Sequence, residues 1–342
     1  MPVLAIERRG RALIILFFSF GILMIPVLLT HIKTRDHILL DGIVIEPRKK
    51  SDTALVWIHG LGSNFAHGQK LIKELSQLCT KNKIAYLKFN TRGHDIVNRD
   101  TFKKKGLQGA GFEKFEECVL DIRAMIRYAR SLGYKKIILA GHSTGANKVL
   151  YYLYKTRAPA VTGLMLVGPV SDVSAGRKKF GAAGLKRGIA IAEKLSRKDP
   201  ASLMPSSYGI YSADRFLSIF CPGGAEDIFP YLNPTADWKE LKSVRIPLAV
   251  IFGSRDEYLD PVRSPSRPWR DGSRRRRLTS NGVDRPAQKL IDIFRAHAPS
   301  TKSFSGIIIK GADHGFHKKE KMLSRQIIQQ IKAWQISRPN KK

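Results

Sequence analysis

Two residue types that together can carry out acyl transfer, a serine and a histidine, each lie in a glycine-flanked turn. Gly141-His142-Ser143-Thr144-Gly145 follows the apolar run at 136–140 and precedes Val149, Leu150 and Leu153 at helical spacing. A serine hydroxyl is a weak nucleophile until a neighbouring base takes its proton. A sharp turn between a strand and a helix lifts that hydroxyl clear of the sheet, and glycines on both sides relieve the crowding. Strand, turn and helix are the context the G-x-S-x-G pattern requires. Outside it the pentapeptide would be an ordinary glycine-rich turn with an exposed serine.

Gly311-Ala312-Asp313-His314-Gly315 closes another apolar run, 305–309. Imidazole titrates near neutral pH and suits the role of base. His314 alone both follows a late strand and sits between glycines. His317 and His297 read as helical or exposed, and His94 and His142 precede the slot where the base should fall. A third turn, Gly253-Ser254-Arg255-Asp256-Glu257, follows the run at 248–252. A carboxylate there would orient the imidazole and stabilise its charged form. Asp256 lies three residues past Gly253; Glu257, Asp260 and, after the run at 163–167, Asp172 compete with it. The chain order is then Ser143, Asp256, His314. A tetrahedral intermediate also needs preorganised N–H donors for its oxyanion. Thr144 supplies one by following the nucleophile, and Leu61 in His59-Gly60-Leu61-Gly62 is placed to supply the second.

These turns need a scaffold that brings strand ends together. Short apolar runs at 54–58, 84–89, 136–140, 163–167, 248–252 and 305–309 alternate with helical patterns, among them 112–132, 287–296 and a last helix ending near Ile336. Such alternation predicts a parallel sheet with helices on both faces, and ligands bind at the carboxyl ends of its strands. Two apolar runs around Asp41-Gly42 predict a hairpin. The alternation breaks at about 171–244, read as a cap insertion, and again at about 262–285, where Arg274 to Arg277 lie in a polar stretch read as a disordered loop. With 342 residues and 43% hydrophobic content, the chain can form one large α/β domain with insertions or two small domains.

At this point the sequence resembles the α/β-hydrolase superfamily of serine esterases, lipases and peptidases. The matching pieces are WIHGLGSN from Trp57, FNTRGHD from Phe89, AGHSTGA from Ala140, FGSRDEYLDP from Phe252 and KGADHGF from Lys310. The likeness covers about 38–336, leaving out the arginine-rich stretch. It implies a mostly parallel α/β-hydrolase sheet, a Ser143–His314–Asp256 triad, an acyl-enzyme intermediate, and no cofactor or metal. It also implies that Arg92-Gly93-His94 shapes the pocket floor. Serine at 143 argues against dehalogenases and epoxide hydrolases, which use aspartate there. The expected activity is hydrolysis of a carboxylic ester, with a small-molecule or lipid ester as substrate. A serine peptidase or thioesterase on the same fold is the alternative within the enzymes. A membrane-tethered basic binding protein without catalysis is the alternative outside them.

Residues 12–30 are uncharged and strongly apolar, and Arg8, Arg9 and Arg11 precede them. A stretch of about 19 residues matches the hydrocarbon thickness of a bilayer and lacks a small-x-small cleavage site. The expected organisation is a single-pass anchor, with a secretory signal as the alternative, within 1–34 and a hydrolase domain over 35–342. The formal charge of +32, from 60 basic and 28 acidic residues, favours anionic surfaces. Eight of the basic residues, Arg177, Lys178, Lys179, Lys186, Arg187, Lys194, Arg197 and Lys198, fall in the cap beside Leu185, Ile189 and Leu195. That pattern points to a membrane contact or to a solvated face, and nucleic acid is not expected as a partner. Cys79, Cys118 and Cys221 form neither a disulfide framework nor a CxxC pair, so a structural zinc site is not expected. Cys79 and Cys118 fit helical patterns and read as buried.

Overall fold

The computed structural model describes residues 4–7, 12–15, 26–49, 51–99, 106–156, 158–231, 233, 235–262 and 285–336. The apolar runs form strands because β-branched and aliphatic residues pack well on a pleated surface. In chain order these are β1 (Leu28–Lys33), β2 (Leu39–Ile45), β3 (Thr53–Ile58), β4 (Ala85–Phe89), β5 (Lys136–His142), β6 (Val161–Val167), β7 (Leu248–Gly253) and β8 (Phe304–Ile309). They make one eight-stranded sheet in the order β1-β2-β4-β3-β5-β6-β7-β8. The pairs from β4 through β8 are parallel, and β2 runs antiparallel to β1 and β4.

Both faces of the sheet are covered, so its central strands carry near-continuous apolar runs. Along β3, Ala54, Val56 and Ile58 join one core, and Leu55 and Trp57 join the other. This is the two-residue alternation of a strand buried on both sides. The first core is closed by α2 (Cys118–Ser131), α3 (Thr144–Lys155) and α7 (Arg285–Ala296). The second is closed by α1 (Gln69–Lys81) and α8 (Glu320–Ile336). The fold is that of an α/β hydrolase.

Between β6 and β7 the chain leaves the sheet for α4 (Asp172–Ser196), α5 (Ala213–Phe220) and α6 (Lys239–Lys242). Gly181 kinks α4 at φ 70°, ψ 162°. Leu185, Ala192, Met204, Phe216, Ile219 and Phe220 form a separate apolar cluster, and Leu61 packs against it. All eight cations between Arg177 and Lys198 are exposed, whereas Leu185 is buried.

Several expectations require correction. Asp41-Gly42 does not turn: both residues lie inside β2, which runs unbroken through them. Gly42 faces Phe89 across the antiparallel ladder, and an added Cβ would come within 2.2 Å of the Phe89 ring. Glycine is there to admit an aromatic side chain, not to reverse the backbone. The apolar stretch 12–30 is not one continuous helix at its two ends. Residues Ala12–Ile15 pair antiparallel with Leu4–Glu7, and from Leu28 onward the chain is edge strand β1, bonded to β2. An apolar run cannot by itself distinguish a span from a strand whose partner lies further along. Residues 16–25, the middle of the stretch, lie outside the described residues. Among those described, no helix is long and apolar enough to cross a membrane. The helix expected from residue 112 begins at Cys118, after a 3₁₀ turn at Phe115–Glu117. Residues 263–284 of the arginine-rich stretch, with Arg274 to Arg277, also lie outside the described residues.

Cys79 and Cys118 are fully buried in α1 and α2, and Cys221 is part-exposed. Burial pushes both buried thiols up, far from the reactive thiolate range. Under native conditions Cys221 alone is expected to react with Ellman's reagent, and all three thiols after denaturation. Fast native reaction of a second thiol would contradict this packing.

Candidate active site

Ser143 follows β5 directly and caps α3 with φ 57° and ψ −129°, a conformation that a non-glycine residue holds only under constraint. The constraint comes from both neighbours. Its N–H donates to Val167 O of β6 at 2.9 Å, and Ala146 N–H donates to Ser143 O at 2.8 Å. The flanking glycines are needed for close approach. A Cβ on Gly141 would sit 2.1 Å from Gly145 O, and one on Gly145 would sit 2.5 Å from Ile58 O. Helix α3 is thereby pressed onto the end of β3, with the serine at the apex of the turn.

The three strand-end turns of the sequence meet here. Ser143 Oγ lies 2.9 Å from His314 Nε2, and His314 Nδ1 lies 2.9 Å from Asp256 Oδ2. Hydrogen bonding to Asp256 fits the tautomer with its proton on Nδ1, which leaves the Nε2 lone pair to accept the serine proton. Asp256 is 5% exposed, and its Oδ1 accepts the Tyr258 N–H at 2.8 Å. The Tyr258 ring meets the His314 ring edge-on, with 4.5 Å between centroids.

Glu257, Asp172 and the competing histidines have other partners. Glu257 Oε2 accepts the backbone N–H of His314 at 3.1 Å, so it holds the histidine's turn and not its ring. Asp172, at the start of α4, sits against Asn147, whose Nδ2 donates to its Oδ2 at 3.2 Å. Burial and then the Glu226 carboxylate push Asp172 well above the usual carboxylate range. Asp260 lies in the 3₁₀ turn Glu257–Val262. His317 is exposed and bonds Asp313, His297 stacks on Trp238, and His94 bonds Asp95.

His142, inside the pentapeptide, has a specific task. Its Nε2 lies 2.9 Å from His314 O and donates to it, and the two rings are 5.1 Å apart. Desolvation and then the adjacent His314 lower its pKa to about 4. It is therefore a neutral donor that ties the His314 backbone to the serine's strand.

On the other side of Ser143 stands the His59-Gly60-Leu61-Gly62 turn after β3. An added Cβ on Gly60 would lie 2.9 Å from Ser143 Cβ, so this loop abuts the serine. Gly60 O accepts from His59 Nδ1 at 2.9 Å and from Ser63 N–H at 3.2 Å. In a planar trans peptide C=O and N–H point oppositely, so the next N–H, that of Leu61, is turned away from those donors. Neither the Leu61 nor the Thr144 N–H has an acceptor among the described residues. The Thr144 N–H also opens the N-terminus of α3, where the helix dipole favours negative charge. The arrangement can activate a hydroxyl and offers two backbone donors to a developing oxyanion.

His59 is buried, and its Nε2 accepts from Thr91 N–H at 3.0 Å. Desolvation and then the Lys148 cation lower its pKa to about 3. An unfolded histidine titrates near pH 6.5, so this histidine must charge on acid unfolding. The native state keeps its full stability above that value and is progressively destabilised as pH falls from there toward 3. By pH 5 the loss from this one group is about 2 kcal/mol. Urea midpoints at pH 7.5 and pH 5 should therefore differ less in His59→Asn than in the wild type, and an equal difference would refute the assignment.

The Arg92-Gly93-His94 turn sends its arginine side chain into the core. Arg92 is fully buried and bonds Asp121 through Nε at 3.1 Å and Nη2 at 2.9 Å, and it also pairs with Asp36 and Glu117. Gly93 makes room for another group: an added Cβ would fall 2.1 Å from the Glu113 carboxylate. The sequence reading missed Glu113, Lys148, Arg215 and Glu226, a buried ionic cluster next to the site. Its one visible signal is Lys148 among the apolar residues of α3.

The profile of the family described as "Protein of unknown function (DUF1749)" matches residues 48–335. The chain belongs to this family. No curated protein matches it. Solved structures similar to it include the siderophore hydrolase EstB from Aspergillus fumigatus, 18% identical over 92% of this chain and 99% of that one, with a TM-score of 0.60. The esterase PF2001 from Pyrococcus furiosus is 17% identical over 91% and 92%, with a TM-score of 0.55. Est1E from Butyrivibrio proteoclasticus, solved with ferulic acid bound, is 14% identical over 90% and 100%, with a TM-score of 0.53. At these identities the likeness establishes the fold. The DUF1749 match contains all five residues of the candidate site, from Leu61 to His314.

Proposed function

We propose that this protein is a serine hydrolase that cleaves a carboxylic ester through an acyl-enzyme. Ser143 attacks the carbonyl, and His314 takes its proton and passes it to the leaving alcohol. Asp256 holds the imidazole and stabilises its charged form, and the Leu61 and Thr144 N–H groups bind the oxyanion. Water, activated by the same histidine, then releases the acid. The observation that carries this reading is the continuous 2.9 Å and 2.9 Å chain from Ser143 through His314 to Asp256, beside two unused backbone donors. The esterase and siderophore-hydrolase names of similar structures support an ester over an amide. The apolar, aromatic-rich cluster of the cap, which packs on Leu61, supports a lipid-derived or otherwise apolar ester.

A fluorophosphonate probe tests the chemistry. Labelling of the wild type that disappears in Ser143→Ala is expected, and no labelling of folded wild type would sink the reading. A panel of p-nitrophenyl esters, acyl-CoAs and aminoacyl anilides then separates esterase from thioesterase and peptidase, with ester turnover expected to dominate. The apolar residues ahead of β1, with Arg8, Arg9 and Arg11 before them, support attachment of the chain to a membrane. Alkaline carbonate extraction of the full chain checks this, and release into the soluble fraction would remove it.

A further inference from the structure

The buried ionic cluster is one stretch of a longer chain of contacts that begins in the cap and ends beside Ser143. Arg215, on α5, reaches Glu226 with Nη1 and, at 3.2 Å, with Nη2. Its Nη2 also donates to Glu113 Oε1 at 3.0 Å, and its Nε to Ala110 O at 2.9 Å. Glu113 Oε1 and Oε2 accept from Lys148 Nζ of α3 at 2.9 and 2.7 Å. Lys148 Nζ lies 3.3 Å from Thr91 Oγ1, at the end of β4. Thr91 meets His59 Nε2 through its N–H at 3.0 Å and its hydroxyl at 3.3 Å, and His59 Nδ1 donates to Gly60 O at 2.9 Å. Glu226, Arg215, Glu113, Lys148, Thr91 and His59 are each no more than 2% exposed. The sequence positions span 59 to 226, so the chain joins five separate parts of the fold.

The charges are matched. Lys148 and Arg215 balance Glu113 and Glu226. Although burial acts to raise the Glu113 pKa, the two cations outweigh it and hold that carboxyl below its usual range. A fully satisfied buried network is rigid, because any displaced member leaves a charge without solvent or partner. Its last link fixes the direction of the Gly60 carbonyl and therefore, through the same planar peptide, that of the Leu61 N–H.

We infer that the chain from Glu226 through Arg215, Glu113, Lys148, Thr91 and His59 to Gly60 is a positioning relay that sets the Leu61 oxyanion donor and makes its aim depend on the docking of the cap. None of these side chains touches the reacting atoms. They act through one another, as the outer partners of a site hold its inner groups. The inference rests on the ester-hydrolase reading for its catalytic consequence, although not for its structural one. It also explains why a cap residue, Arg215, is bonded to the sheet's strand-end loops as well as to its own insertion.

The test uses the full chain with charge-balanced changes, Lys148→Met together with Glu113→Gln, and the conservative Lys148→Arg. With a soluble p-nitrophenyl ester, the double variant is expected to lose about 10- to 100-fold in kcat, the scale of a misdirected oxyanion donor, with KM within about twofold. The Ki of a matching trifluoromethyl ketone, which binds as an oxyanion, should rise in proportion to the fall in kcat/KM, and Lys148→Arg should recover most of both. A merely structural role would lower the melting temperature and leave the Ki of the folded protein unchanged, and that result would overturn the inference. Selective ¹⁵N-leucine labelling gives a second readout that does not depend on turnover. The Leu61 amide resonance is expected to shift in the double variant and to return toward its wild-type position in Lys148→Arg. An unmoved resonance also overturns the relay. A wild type that hydrolyses no ester but whose Leu61 resonance responds in this way would overturn the activity and leave the relay standing.

Discussion

Replacing Ser143 by alanine is expected to lower kcat for a soluble p-nitrophenyl ester by about 10⁴- to 10⁶-fold, with folding unchanged. In the proposed mechanism the nucleophile, base and acid act as one unit, so the losses should not add. His314→Ala alone should fall about as far as Ser143→Ala, and the double variant no further. Asp256→Asn should cost about 10⁴-fold, because an amide facing Nδ1 favours the wrong imidazole tautomer while keeping the geometry. Glu257→Gln should cost far less, because Glu257 accepts only the His314 backbone N–H and an amide oxygen can still do so. Measured kcat values for these five proteins settle the assignment. A Glu257→Gln loss equal to that of Asp256→Asn would exchange the two roles, and additive losses would mean that the three residues do not act together.

The contrast between Asp256 and Glu257 marks how far the sequence could be read. The three strand-end turns were legible because each combined a chemically apt residue with glycine punctuation after an apolar run. The sheet was legible for a related reason: strands buried on both faces read as near-continuous apolar runs, as 54–58 and 248–252 do. Position after the strand favours Asp256 in the sequence, but it does not exclude Glu257, Asp260 or Asp172. Adjacent residues on a turn point in different directions, and only backbone geometry decides between them. Asp41-Gly42 misled for the converse reason. A glycine needed to admit the Phe89 ring has the same sequence signature as a glycine needed for a turn. The stretch 12–30 misled at Leu28 because hydrogen bonding to β2 lies outside any window of hydropathy. The buried network was hidden more deeply. Glu113, Lys148 and Arg215 are far apart in sequence; Glu113 and Arg215 read as surface charges, and only the apolar neighbours of Lys148 on α3 hint otherwise, until folding supplies their partners.

The largest expected effect on stability comes from another buried charge, Arg92. Arg92 is fully buried, and its Nε and Nη2 both bond Asp121 Oδ1, whose carboxylate is itself 0% exposed. Arg92→Leu would leave the Asp121 carboxylate buried without its counterion, which destabilises by about 3 to 5 kcal/mol. At about 2 to 3 °C per kcal/mol in a chain of this size, the melting temperature should fall by about 6 to 15 °C. Asp36 and Glu117 also lose a partner, but both retain contact with water, so their contribution is smaller. The discriminating variant is Arg92→Leu with Asp121→Asn. An asparagine oxygen still accepts the residue-92 N–H, now made by Asp121 Oδ2 at 2.8 Å, without a charge to strand. The double variant should therefore recover most of the lost stability, although it has lost the ion pair altogether. Calorimetry on the two variants decides the point. A double variant no more stable than Arg92→Leu would mean that the guanidinium's packing, and not the stranded carboxylate, governs this corner of the fold.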